Sequence, residues 1–324
     1  MDLSLFFAGT AGSVPTARRG LPAILFRRGG DRLLFDCGEG TQRQLLKTVG
    51  LPDIDDVFLT HLHADHWLGL PGMLKSFELR DRDAPLTVYG PPGTGTLMAT
   101  MRIVYGRLRY PFSVVELEAG EVVHFDGYEI TSFNVNHRSR AFGYAIVEEP
   151  RPGRFDAELA TALGVEFGPD FGRLQRGEVV NGVRPEQVVG PERPGRKIVL
   201  SGDTGPCEML RVAAHEADVL VHEATFTEEE HERAMQTGHS TARQAAELAR
   251  DANVRLLVLT HLSTRYAGGE IRDEARAIFE RTEVPRDFDS VEVPFAEKGE
   301  PELHRFDAEQ ARMSRPAQAE EARA

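Results

Sequence analysis

Cysteine is nearly absent from this chain: its 324 residues include Cys37 and Cys207 and no others. Two cysteines outside any CxxC spacing exclude a disulfide framework and a thiolate zinc site, and free buried thiols in a reducing cytoplasm are expected. Long apolar runs are missing too. No stretch approaches the ~20 residues that cross a bilayer, and Met1-Asp2-Leu3-Ser4 enters an apolar run with no basic region ahead of it, which argues against a secretory signal. The expectation is a cytoplasmic protein with no membrane partner. Positive charge is in deficit, with 38 Lys and Arg against 51 Asp and Glu for a net −13. That balance counts against nonspecific nucleic-acid binding, which draws on Lys and Arg contacts to phosphates. The deficit is uneven, however. Residues 150–197 hold eight basic and seven acidic side chains. Arg18-Arg19, Arg27-Arg28 and Arg102, Arg107 and Arg109 are further basic spots, and most of them read as solvated surface.

What remains is an ordinary globular composition, 41% hydrophobic and 27% charged, long enough for one large domain or two smaller ones. Strand-length apolar runs recur at 3–7, 23–26, 33–35, 57–59 and 86–89, and again at 130–135, 141–147, 198–200, 219–221 and 256–259. Helical patterns fall at 41–49, at 241–252 behind Ser240 as N-cap, and at 270–281. Strands alternating with helices and mixed with hairpin-like pairs predict a layered α/β sandwich. The segment from Pro150 to Gly195 breaks that rhythm with eight glycines and six prolines. A loop-like stretch of that length within a domain is functional or disordered. The Ala-, Glu- and Arg-rich tail from 308 is expected to be flexible.

The densest chemistry lies in THLHADHWLGLPG at 60–72, where His61, His63, Asp65 and His66 fall within six residues directly after an apolar run. Imidazole and carboxylate together suit zinc or a similar divalent ion. Residues two apart project the same way, so His61 and His63 can grip one ion, while Asp65 and His66, past the bend, face a second. His137, Asp203, His222 and His261 each follow a strand-like run. In α/β sheets ligands gather at that carboxyl edge. His124, His215, His231 and His304 lack this context and read as surface or structural. One assignment uses the rest consistently. His61, His63 and His137 hold one zinc, Asp65, His66 and His261 hold the other, and Asp203 bridges them. Two ions about 3.5–4 Å apart can share a hydroxide and clamp an in-line displacement, which points to phosphodiester hydrolysis. Asp65 is then the proton acceptor. His239, within Gly238-His239-Ser240-Thr241, can stabilise developing charge or protonate the leaving oxygen.

This ligand order resembles the metallo-β-lactamase superfamily, and within it the chain is similar to the RNase Z family of tRNA 3′-processing endonucleases. The motifs DCGEGTQ at 36–42, FAGTAGSVP at 7–15, SGDT at 201–204, HEAT at 222–225, GHST at 238–241 and THLSTRY at 260–266 carry the resemblance across residues 1–295. It implies an αββα sandwich over 1–307 and a tail at 308–324. It also implies an inserted flexible arm between Pro150 and Gly195 that grips substrate, with no single contact residue assigned. Two Zn2+ ions per chain are implied, with Mn2+ or another divalent ion as an alternative. Precursor tRNA is the implied substrate, losing its 3′ trailer, and a homodimer in which one subunit's arm serves the other's site is the implied assembly. PTARRG at 15–20 departs from the family's PxKxRN, keeping Pro15 and Arg19 but placing Ala17 and Gly20 where Lys and Asn are expected, which puts the cleavage position in doubt. The resemblance assigns no role to His222, Glu223, Cys37 or Cys207. The rival is another hydrolase of this fold acting on a small phosphodiester, sulfate ester, thioester or lactam.

Overall fold

A computed structural model describes residues 1–307; the tail expected at 308–324 lies outside the described residues. The chain first lays down β1 (Leu3–Gly9), β2 (Ala23–Arg28), β3 (Asp31–Phe35), β4 (Asp56–Phe58), β5 (Leu86–Gly90) and β6 (Phe112–Glu116). It then builds a second sheet from β7 (Val122–Phe125), β8 (Tyr128–Asn134), β9 (Phe142–Glu148), β10 (Lys197–Leu200), β11 (Val219–Glu223), β12 (Leu256–Thr260) and β13 (Thr282–Glu283). Last, β14 (Ser290–Glu292) and β15 (Glu302–His304) return to the first sheet, whose order is β15-β14-β1-β2-β3-β4-β5-β6. The second runs β13-β12-β11-β10-β9-β8-β7.

Period-two alternation decides how the sheets stack. Leu3, Leu5 and Phe7 of β1 point into the layer between the sheets, where they meet Val219 and Val221 of β11 and Leu256 and Val258 of β12. The intervening Phe6 and Ala8 face outward under helices α1 (Thr41–Lys47), α3 (Leu70–Leu79) and α4 (Thr94–Tyr105). Leu220, Leu257 and Leu259 likewise face outward, beneath α8 (Glu208–Ala213), α10 (Ala242–Asp251) and α11 (Gly268–Arg276). The short α2 (Ala64–Trp67) and α9 (His231–Thr237) sit in loops. The result is the expected αββα sandwich. Strands buried on both faces read as unbroken apolar runs, which is why ten of them stand out in the sequence. The N-cap of α10 is a correction. Thr241 caps it, accepting from the Gln244 N–H in a capping box, while Ser240 donates its hydroxyl to the Thr204 carbonyl.

The insertion between β9 and β10, expected as a loop-like arm from Pro150 to Gly195, is a second correction. It is not structureless but carries α5 (Ala157–Ala162), α6 (Pro169–Gln175) and α7 (Pro185–Val188). These close around their own apolar cluster of Ala160, Val165, Phe171, Leu174, Val180, Val183 and Val188. The composition misleads because most of its glycines and prolines sit at or between element boundaries, with Gly172 inside α6 the exception. Pro169 and Pro185 open helices, where a missing N–H costs nothing, and Gly168 precedes α6.

Pro150 and Gly195, the expected ends of the arm, lie at its root beside the sheet. Pro150 lies two residues past the end of β9 and Gly195 two residues before the start of β10. Gly195 packs so closely on β9 that a side chain there would stand 2.2 Å from the Glu148 carbonyl oxygen. The root is fastened by Arg151–Arg193 backbone pairing at 2.8 and 2.9 Å and by both arginines holding Glu297. Beneath it, Glu148 accepts from Arg196 at 2.6 Å and Arg28 at 2.7 Å in a buried network. Burial alone would raise the Glu148 carboxyl, but these two guanidiniums hold it at about 2.

Candidate metal centre

Four loops following strands deliver the candidate ligands to one rim. His61 and His63 follow β4, and α2 turns Asp65 and His66 back over them. His137 follows β8, Asp203 follows β10 and His261 follows β12. His261 has a φ of 57°, a left-handed conformation uncommon for a non-glycine residue.

The structure brings all seven together in overlapping trios: His61, His63 and His137; His61, His66 and Asp203; Asp65, His66 and His261; and a fourth that joins Asp203 and His261 to His239. His63 Nδ1 lies 2.9 Å from His61 Nε2 and 3.2 Å from His137 Nε2. On the other side, Asp65 Oδ2 is 3.5 Å from both His66 Nε2 and His261 Nε2. Asp203 Oδ2 lies between the groups, 3.7 Å from His61 Nε2, 3.4 Å from His66 Nε2 and 3.2 Å from His261 Nε2. A tetrahedral ion with bonds of ~2.0–2.1 Å needs ligand separations of about 3.3 Å, and these distances cluster there. The donor set fits a divalent ion on a second count. His66 Nε2 and His261 Nε2 are buried without a hydrogen-bond partner, a costly state that a bound cation relieves. No residue between Pro150 and Gly195 belongs to any of these trios, so the arm stands outside the centre.

A supporting layer turns each ring. Asp36 Oδ2 lies 2.7 Å from His66 Nδ1 while the same carboxylate accepts from the Thr60 N–H and hydroxyl. His137 Nδ1 donates to the Gly238 carbonyl at 2.8 Å. A Cβ at Gly238 would press to 3.2 Å from the Arg138 nitrogen. The Thr225 hydroxyl donates to Glu223 Oε2 at 2.6 Å and sits 2.8 Å from His261 Nδ1. Glu223 Oε1 holds His239 Nδ1 at 2.7 Å. Such partners fix tautomers and ring directions.

Charge follows the same plan. Burial opposes ionisation of Asp65, yet His261 and His66 hold its carboxyl well below the usual range. Asp203 behaves alike under His261 and His66. Burial pushes His61 down, with His66 adding to it. Burial also opposes a charge on His239, but Glu223 and Asp203 lift its pKa to about 9. His222 stays apart, buried within β11 with Nδ1 2.7 Å from the Glu223 carbonyl. Among the other histidines, His124, His231 and His304 face Glu129, Glu228 and Glu292 at 3.4–3.7 Å, away from the centre.

Residues 31–262 match the β-lactamase superfamily domain. Ribonuclease Z of Haloferax volcanii is 47% identical over 307 residues, covering 92% of this chain and 97% of that protein. The chain belongs to the ribonuclease Z family. Ribonuclease Z of Myxococcus xanthus is 45% identical, over 90% of this chain and 98% of its own length. Human tRNase Z, short form, superposes with a TM-score of 0.66 at 26% identity, covering 90% of this chain and 99% of that one. The Bacillus subtilis metallo-β-lactamase fold protein YhfI shares the fold, with a TM-score of 0.68 at 18% identity, over 90% of this chain and 100% of its own.

The ribonuclease Z motifs now acquire physical roles. In FAGTAGSVP, a side chain at Gly12 would stand 2.5 Å from the His261 ring, and the Ser13 N–H donates to Asp65 Oδ2 at 2.9 Å. DCGEGTQ supplies Asp36, while Cys37 is buried with its thiol pushed up by desolvation, an inert packing residue. Cys207 is only half-buried, contrary to the expectation of two buried thiols. HEAT supplies Glu223 and Thr225. Ligand spacing alone does not reveal Asp36, Thr60, Glu223 or Thr225, because none touches the ion site directly. In PTARRG, Arg19 is partly buried and donates to Thr10 Oγ1 at 2.5 Å and the Pro285 carbonyl at 2.8 Å.

Proposed function

We propose that the chain is a metal-dependent endoribonuclease that removes the 3′ trailer from precursor tRNA. The observation that carries this is the pairing of two ligand trios across Asp203 with a part-buried Glu223–His239 dyad at 2.7 Å. His61, His63 and His137 would hold one ion, Asp65, His66 and His261 the other, with Asp203 between them. Bound there, two Zn2+ ions, or Mn2+ in their place, would supply Lewis-acid activation of water and of the phosphate.

The chain's own groups handle the protons. Asp65, kept ionised by His261 and His66, accepts the proton of the attacking water. His239, cationic at neutral pH because of Glu223, donates a proton to the leaving oxygen from its ring. Glu223 receives none of this traffic; it holds the ring and its charge. General acid and base groups of this kind each contribute about 10²–10⁴-fold.

The arm supports a large substrate. It joins the end of β9 to the start of β10, whereas Asp203 follows the other end of β10. A strand rise of about 3.3 Å per residue separates the arm's root at Pro150 and Gly195 from the ligand rim by on the order of 15 Å. A small ester would occupy the rim alone. The folded arm offers a second grip on a molecule the size of tRNA, in the cytoplasm, with two copies of the chain acting together and each arm serving its partner's site. Among the described residues no helix is long and apolar enough to cross a membrane.

Substitution of the shared ligand tests the proposal. Asp203→Ala should lose both ions by elemental analysis, and precursor-tRNA cleavage with them. Retention of one ion and of cleavage would refute it.

A further inference from the structure

The loop from β1 to β2 reaches the metal centre through its backbone. Its Ser13 N–H donates at 2.9 Å to Asp65 Oδ2, the oxygen that stands 3.5 Å from both His66 Nε2 and His261 Nε2. One residue earlier, Gly12 packs so closely that a side chain there would stand 2.5 Å from His261 Nδ1. Ser13 holds a left-handed φ of 59°, uncommon for a residue with a side chain, so the direction of its N–H depends on what holds the loop. Three groups crowd Oδ2, which leaves Oδ1 to take the proton of the attacking water. Where the loop stands therefore sets which way the proton acceptor faces.

The loop's anchor comes from far along the chain. Asp287, in the turn between β13 and β14, accepts with Oδ1 from Thr10 Oγ1 at 2.7 Å. With Oδ2 it accepts from the Gly20 N–H and from Gln44 Nε2, both at 2.6 Å. Thr10 and Gly20 flank the two ends of the loop, which the Ala11 N–H closes onto the Gly20 carbonyl at 2.9 Å. Gln44, on α1, also donates to the Ala8 carbonyl, so one carboxylate ties the end of β1, the returning loop and a helix together. The turn itself is fixed to β1. The Phe7 N–H donates to the Asp289 carbonyl at 3.0 Å, and the Phe288 N–H donates to the Phe7 carbonyl at 2.7 Å. Asp287 is buried, and burial pushes its carboxyl pKa up. A carboxylate in such a seat needs donors to offset its desolvation, and here two of the three donors belong to the loop.

We propose that Asp287 is a positioning residue for the proton acceptor: it holds the loop at 10–20 so that the Ser13 N–H fixes the Asp65 carboxylate. The inference rests on the role given to Asp65 above. Asp287 belongs to no ligand trio and acts through Thr10, Gly20 and Ser13. A misplacement of about 1 Å set up far from the chemistry can cost on the order of 10²-fold, so a small drift of the loop is enough.

The test uses the full chain with both metals, assayed on precursor tRNA and on a small chromogenic phosphodiester. Asp287→Asn keeps the volume but turns N–H groups toward a seat built of donors. It should lower kcat by roughly 10- to 100-fold with KM for precursor tRNA nearly unchanged. The loss should be proportionate on the small diester, because the same base serves both, and elemental analysis should find both ions retained. Thr10→Val should act in the same direction, and Thr10→Ser, which keeps the hydroxyl, should recover most of the loss. Asp289→Asn is the control, a buried carboxylate of the same turn whose side chain holds the Arg286 N–H, the Phe306 N–H and Arg305 and no part of the loop. It should lower the melting temperature and keep kcat. An unchanged kcat in Asp287→Asn, an equal loss in Asp289→Asn, a loss confined to KM for precursor tRNA, or loss of an ion overturns the assignment. If Asp287→Asn does not fold, the Thr10 pair decides, and a wild-type kcat in Thr10→Val overturns it. Wild type that turns over the diester and leaves the precursor intact overturns the ribonuclease function, while the Asp287 comparison is still read on the diester. No turnover of either substrate by wild type overturns both.

Discussion

Glu223, a buried carboxylate, holds the His239 ring at the rim, 2.7 Å from Oε1 to Nδ1. The other oxygen of Glu223 takes the Thr225 hydroxyl, which in turn meets His261 Nδ1 at 2.8 Å. One side chain therefore orients both a candidate proton donor and a candidate metal ligand.

His239→Ala should lower kcat by about 10²–10⁴-fold with metal content intact. Glu223→Gln should act on the same step through pH. The His239 cation persists up to about 9 in the native protein, so the alkaline limb of kcat lies near that value. Without the carboxylate the limb should move toward the ordinary histidine range, so activity is lost at a lower pH. A pH–rate profile of the variant with an unshifted alkaline limb would count against the proton-donor role.

Asp36→Asn should weaken metal binding. Asp36 lies 2.7 Å from His66 Nδ1 and accepts from Thr60, and loss of such a partner costs about 10–100-fold in affinity. Chelator competition measures this directly. The Asn variant should fold, because it keeps the volume and most hydrogen bonds of the original.

How much of this is legible in the residues follows from what each one contacts. The metal ligands stand out because HxHxDH packs them into one turn and because His137, Asp203 and His261 follow strands with unbroken apolar runs. Asp36 and Glu223 do not stand out: each is one acidic residue in a loop or strand, and its role exists only once the fold brings His66 or His239 against it. The strands β6 and β7 are hidden by half-exposed faces that blur the alternation, and β13 to β15 are two or three residues long, too short for any period. Between Pro150 and Gly195 the composition is that of a loop, while Phe171, Leu174 and Val188 supply a small core that no count of glycine and proline detects.

Acid should loosen the arm's root before the rest. The Glu148 carboxyl is held at about 2 against an ordinary 4.5, so its stabilisation is present above pH 4.5 and is lost as pH falls toward 2. The shift corresponds to on the order of 3 kcal/mol. Thermal melts of the wild type should fall steeply across that window. Glu148→Gln should be less stable at pH 7, because it leaves Arg196 buried and unpaired, and should show a flatter dependence between pH 4.5 and 2.

Deleting about residues 155–190 should raise KM for precursor tRNA steeply and leave hydrolysis of a small chromogenic phosphodiester nearly unchanged, the signature of lost uniform binding. The deletion removes an apolar cluster that is the arm's own and spares the pairing of Arg151 with Arg193. Equal loss on both substrates in a folded protein would make the arm structural.

The most direct measurement is cleavage of an end-labelled precursor tRNA by the purified, metal-replete chain, before and after chelation and again after zinc or manganese is restored. The account predicts a single cut that releases the 3′ trailer, no cut after chelation, recovery with the metal, and no cut by Asp65→Ala under any of these conditions. Cleavage that survives chelation, near-normal cleavage by Asp65→Ala, or an intact precursor beside a readily hydrolysed small ester would contradict it.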